Sequence, residues 1–142
     1  MGYDIEIRRL NSEGHHLTIK EIAKKNDEYE LDDISEKIAH LYMSYNHSKM
    51  LTEFEIYPRD FTCEKVKTIL PKYKTALEKL KADEGVDQVI VKLYEESEDY
   101  YEFQEKCEID YFEKSKTVIF VIVSEVIETL KKCDDNDLWF SD

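Results

Sequence analysis

Thr117-Val118-Ile119-Phe120-Val121-Ile122-Val123 is the stretch whose reading decides the fold. From Val118 to Val123 every residue is β-branched or aromatic, the composition of a buried strand. The apolar pattern does not stop there. Val126, Ile127 and Leu130 extend it at helical spacing, and a periodic run of that length is too long for one strand. We read it as a helix buried on most sides, with Ile109 and Phe112 on the same face upstream.

Outward from this segment, two short strands frame the chain. Tyr3, Ile5 and Ile7 alternate with Asp4, Glu6 and Arg8, a half-buried strand closed by the turn cluster Asn11-Ser12-Glu13-Gly14. Leu138-Trp139-Phe140 is a final strand suited to pair with it. Between them the pattern is helical. Thr18 precedes Glu21 by three, a capping-box spacing, with Ile19, Ile22 and Ala23 behind it. Asp33 and Glu36 repeat the start signal. Ile34, Ile38, Leu41, Tyr42 and Tyr45 then share one face of a helix predicted over 33–46, with Asn46-His47-Ser48 as its exit. Residues 51–61 suggest an extended stretch through Phe54 and Ile56, then a turn at Tyr57-Pro58-Arg59-Asp60. Val66, Ile69, Leu70, Tyr73, Leu77 and Leu80 mark a helix over 63–82, in which Pro71 removes one hydrogen bond and predicts a kink. After a break at Gly85, the next face is Val86, Val89, Ile90, Leu93 and Tyr94. The expectation is a single domain, 1–142, of helix-dominated α+β class. Four or five helices would pack around Val66, Leu70, Leu77, Val89, Ile90, Ile119, Ile122 and Val126, with one small sheet that includes the N-terminal strand.

Composition excludes several functions. The 142 residues carry 33 Asp plus Glu against 20 Lys plus Arg, a formal net charge of -13. That balance opposes direct, sequence-independent binding of nucleic acid, which needs a basic face, and docking on an anionic membrane. No apolar run approaches the ~20 residues that span a bilayer. Met1-Gly2-Tyr3-Asp4-Ile5-Glu6 lacks the basic start and apolar run of a signal peptide, and Glu6 occupies the position where a myristoylation signal needs Ser or Thr. Cys63, Cys107 and Cys133 are widely spaced and odd in number, as expected of free thiols in a reducing, cytoplasmic setting.

The order Tyr3-Asp4-Ile5, then Ala39-His40-Leu41-Tyr42-Met43-Ser44-Tyr45-Asn46-His47-Ser48-Lys49-Met50, then Ile69-Leu70-Pro71 leading into Glu78-Lys79-Leu80-Lys81-Ala82-Asp83, precedes a helix ending at Cys133 and an Asp/Asn turn. It resembles a family of small uncharacterised phage and bacterial proteins with a Tyr-Asp-Ile start and a Tyr/His-Asn-x-x-x-Met motif. Residues 51–61 and 85–115 depart from that pattern. The resemblance implies a mostly helical α+β fold, favours helix at 117–123, and implies no activity.

Few residues point to chemistry. His40 and His47 are seven apart, too far along a helix to chelate one ion, so no metal or cofactor is expected. Ser44, Ser48, Cys63 and Cys107 lack any nucleophile motif, and three glycines make no phosphate loop. Tyr42, Tyr45, Asn46 and Met50 are the ligand-pocket candidates. An enzyme built on them would use Tyr45, Asn46, His47 and a carboxylate such as Glu53.

Charge segregation is more informative. Residues 95–113 hold nine acids and one base, Lys106, which accounts for eight of the thirteen net negative charges. Tyr100, Tyr101, Phe103, Tyr111 and Phe112 are interleaved with them. Residues 64–81, by contrast, carry six lysines and two glutamates. The acidic segment either pairs with that basic helix or faces a basic protein partner. The expected function is a non-catalytic, acidic interaction module whose interface includes Glu98, Asp99, Tyr100, Tyr101, Glu102 and Glu105. A homo-oligomer is also compatible with the sequence.

Overall fold

The computed structural model describes residues 1–25 and 27–142. The fold is α+β, with one three-stranded antiparallel sheet ordered β2-β1-β3. β1 (Gly2–Leu10) is central, β2 (Ser35–Ser44) lies on one side and β3 (Leu138–Ser141) on the other. Eight helices are present among the described residues, against the four or five expected. Five are short, α1 (Ser12–His15), α2 (Ile19–Ala23), α3 (Glu28–Ile34), α4 (Ser48–Glu53) and α7 (Tyr100–Lys106), and flank the longer α5 (Val66–Lys81), α6 (Gln88–Glu96) and α8 (Lys116–Lys131); α1, α4 and α7 are the ones no sequence signal had marked. Each is set by local capping or turn chemistry rather than by a long apolar stripe.

The stretch 117–123 is helical, and α8 is buried almost all round. Val118 to Ser124, Val126, Ile127 and Leu130 are all buried. Ser115 caps it by accepting the Val118 N–H. The helix begins at Lys116, so Ile109 and Phe112 are not part of it, and Phe112 stands exposed. α5 runs through Pro71 as one helix, with the proline on its solvent side. Tyr3, Ile5, Ile7, Leu41, Met43 and Trp139 on one face of the sheet join α5 and α8 in the main core. Trp139 is fully buried against Tyr73 and Phe61 and donates its indole N–H to the Pro58 carbonyl at 2.9 Å. Of the expected core, Leu70 and Ile90 are partly buried against it, and Val89 is 73% exposed, with Val91 buried on α6 instead.

The largest correction concerns 33–46. Ser35–Ser44 is a strand, paired from Gly2↔Ser44 through Ile7↔Ala39 with β1. The helix sits earlier, at α3, with Asp27 rather than Asp33 as its cap. The apolar residues 34, 38, 41, 42 and 45 fit a helical face, but Leu41 and Met43 also alternate, and only that alternation puts both on the core side. Residues 51–61 are likewise not extended: α4 occupies their start, and a 3-10 turn over Pro58–Phe61 their end. α4 closes with the Glu55 N–H bonded to Thr52 O and the Ile56 N–H to Leu51 O, a Schellman motif with Glu55 at φ 60°.

α1, α2 and α3 fold over the opposite side of the sheet, where Ile22, Leu31, Ile34 and Leu138 make a second, smaller cluster. The Thr18–Glu21 capping box is present on α2. Arg8, wholly buried, joins this excursion to the sheet through Glu6 and Asp32, each at 2.8 Å.

Candidate interaction surface

The four pocket candidates lie on β2, on the 3-10 turn that follows it and on α4. Tyr42 lies on the outer face of the sheet, 47% exposed, with its ring against Gly2. A Cβ at Gly2 would come within 2.6 Å of that ring and 2.3 Å of the Met43 carbonyl, so the close approach requires glycine. Tyr45 opens a 3-10 turn over Tyr45–His47, Asn46 is exposed, and Met50 packs against the main core from α4. His47 is completely buried and donates Nε2–H to the Tyr111 carbonyl at 2.7 Å, leaving Nδ1 buried without a partner among the described residues. That bond fastens the loop before α8 to the end of β2. Glu53 is exposed on α4.

Tyr45 belongs to a cluster that no spacing in the chain announces. Its ring meets Tyr3 edge-on at 4.7 Å, and Tyr3 meets Tyr57 at 5.4 Å. The Arg59 guanidinium lies 5.2 Å from the Tyr3 ring and 5.8 Å from the Tyr45 ring, and donates to the Tyr45 hydroxyl at 3.3 Å. The Tyr3 hydroxyl bonds Ser48. Burial raises the Tyr3 pKa, as it does the thiols of Cys63, Cys107 and Cys133. A thiol pushed up in this way is a poor nucleophile at neutral pH.

The acidic segment is built from the end of α6, all of α7 and the loop to α8. Asp99 caps α7 by accepting the Glu102 N–H at 2.9 Å. Glu102 accepts from Lys106 at 2.7 Å and from the Glu98 N–H at 2.6 Å, and both bonds hold its carboxyl below the ordinary value. Three rings of this region turn inward. Phe103 is buried, Tyr94 meets it edge-on at 5.2 Å and Phe120 of α8 at 5.5 Å, and Tyr100 lies 6.2 Å from Phe103. Burial, and then the nearby Glu125, push the Tyr100 hydroxyl well up. Three rings turn outward: Tyr101 is 60% exposed, Phe112 64% and Tyr111 40%. Lys132 of α8's end donates to the Tyr101 hydroxyl at 3.0 Å and lies over its ring.

The segment is not neutralised by the basic helix. Among the described residues its ion pairs are Glu96–Lys92 at 3.8 Å and Glu102–Lys106 at 2.7 Å, both within the same helix. Glu95, Asp99, Glu108, Asp110 and Glu113 make no ion pair among those residues, and Glu98 and Glu105 act on Lys106 only from beyond ion-pair distance. Lys81 of the basic helix pairs with Glu78 of its own helix and lies over the Tyr94 ring at 5.6 Å. Two clefts flank the segment. One, about 380 Å³, lies between Tyr94, Tyr100 and the ends of α5 and α8. The other, about 370 Å³, has Ile90, Ile109 and Val118 in its lining and Asp87, Glu108 and Asp110 beside them. Like charges held at this density raise the local potential and steer cations toward it.

Among the described residues, no group of three or more His, Cys, Asp or Glu is placed to hold a metal ion, and no helix is long and apolar enough to cross a membrane. No family model, curated protein or solved structure matches the chain.

Proposed function

We propose that the protein is a non-catalytic interaction module that offers the acidic, tyrosine-bearing segment 95–113 to a basic protein partner. One observation carries the reading: most carboxylates of this segment stand exposed and outside any ion pair among the described residues, although a lysine-rich helix is available in the same chain. Exposed Tyr101, Tyr111 and Phe112 add apolar contact area to the charge. That combination suits a protein surface in which charge sets the approach and aromatic rings anchor the contact.

The variant Glu95→Lys, Glu98→Lys, Glu105→Lys, Glu108→Lys tests it. These four side chains are exposed and outside the hydrogen bonds that shape α7, so the fold should be kept, as circular dichroism would show. Capture from the native cell should lose a defined set of partners relative to the wild type, at physiological salt as well as low salt. An identical set of captured proteins for both chains would overturn the proposal.

A further inference from the structure

The two edges of the sheet are unlike. The outer edge of β3 is closed by the chain itself: the Cys63 N–H bonds Trp139 O at 2.7 Å, the Trp139 N–H bonds Glu64 O at 3.0 Å, and the Val66 N–H bonds Asp137 O at 2.9 Å. Among the described residues the outer edge of β2 has no such hydrogen-bonded cover. The Tyr45 N–H donates to the Met1 carbonyl, so Met1 and Tyr45 are a hydrogen-bonded pair. Antiparallel alternation then makes Tyr3–Met43, Ile5–Leu41 and Ile7–Ala39 the bonded pairs. The Asp142 N–H bonded to Asp4 O on the other side of β1 follows the same alternation. His40, Tyr42 and Ser44 therefore turn their backbone N–H and C=O away from β1. No backbone or side-chain hydrogen bond among the described residues meets these groups. Ser44 is buried, and His40 and Tyr42 are exposed; an edge left open there is a template for another strand.

We infer that this edge pairs antiparallel with β2 of a second copy, joining two three-stranded sheets into one of six strands. The charge of the edge selects the occupant. In a chain of net charge -13, Ser35–Ser44 carries only Glu36, Lys37 and His40, a formal sum of zero. A second copy approaching here meets no net repulsion from the strand, whereas a basic peptide finds no charge on it to favour binding. An antiparallel strand paired with itself closes under two-fold symmetry, so assembly stops at the dimer. A register centred on Leu41 sets His40 of each copy opposite Tyr42 of the other and covers the exposed Tyr42 ring. The bulge that inserts Ile38 between the Ile7↔Ala39 and Arg8↔Lys37 pairs ends the shared ladder on each side.

Sedimentation velocity of the full chain over a dilution series tests this. The wild type should move from twice its 17.0 kDa toward 17.0 kDa as it is diluted. Tyr42→Pro removes a donor that β1 does not use, so it should leave the intramolecular ladder intact and give 17.0 kDa at every concentration. The double variant His40→Lys, Tyr42→Lys places like charges across the two-fold and should do the same without touching the backbone; it decides the matter should the proline variant not fold. A wild type at 17.0 kDa throughout, or a dimer that survives both changes, overturns the proposal.

Discussion

β2 and α8 pose opposite puzzles and resolve in opposite directions. β2 reads as a helical face from its apolar spacing and folds as a strand. α8 begins as a run of β-branched and aromatic residues and folds as a helix. The difference lies in how many sides are covered. α8 is enclosed by α5, α4, the sheet and the rings of Tyr94 and Phe103, so a continuous apolar run suits it and propensity is overridden by burial. β2 has one neighbouring strand and one buried face, so only the alternation of Leu41 and Met43 with His40 and Tyr42 matters.

Substitutions can widen or close that contrast. The largest effect is expected in α8: Phe120→Ala should lower unfolding stability by about 3–5 kcal/mol in denaturant titration, because the ring is enclosed and its cavity cannot collapse. The matching truncation in β2, Leu41→Ala, should cost about 2 kcal/mol, near the low end for such changes, since an edge strand can settle onto the gap. Equal losses at the two sites would remove the distinction between an enclosed element and an edge. Just past β2 and α4, Glu55→Gly should raise stability by about 1 kcal/mol, because the left-handed conformation there disfavours any side chain.

Glu125, half-covered on α8, sharpens the comparison through pH. Burial raises its carboxyl pKa above the unfolded value. The stability tied to its protonated form is therefore full below the unfolded pKa of about 4.3 and is lost as pH rises through the folded value. Glu125→Gln should accordingly raise Tm at pH 7, with the gain shrinking toward pH 4; a gain independent of pH would mean that the carboxyl is not held in an apolar setting. The smallest effect is expected at Val89, which the apolar spacing assigns to the core and the structure exposes. Val89→Ala should change stability by no more than about 0.5 kcal/mol.

Local chemistry in the chain determined a good deal. The alternation of Tyr3, Ile5 and Ile7 specifies β1, Thr18 and Glu21 specify the start of α2, and the stripe from Val66 to Leu80 specifies α5. The length of the apolar run beyond Val123 specifies α8. The separation of acidic 95–113 from basic 64–81 is a property of the sequence alone. Those features are legible because capping, periodicity and composition act within a few residues. Tertiary structure alone decided that Ser35–Ser44 is a strand, because its pairing with β1 is a contact between residues far apart in the chain. It alone gathered Tyr3, Tyr45, Tyr57 and Arg59, buried His47 against the Tyr111 carbonyl, and sorted the tyrosines of the acidic segment into inward and outward sets. Each depends on which surfaces meet after the chain has folded back on itself, and hydrophobic spacing along one segment carries no record of what lies opposite.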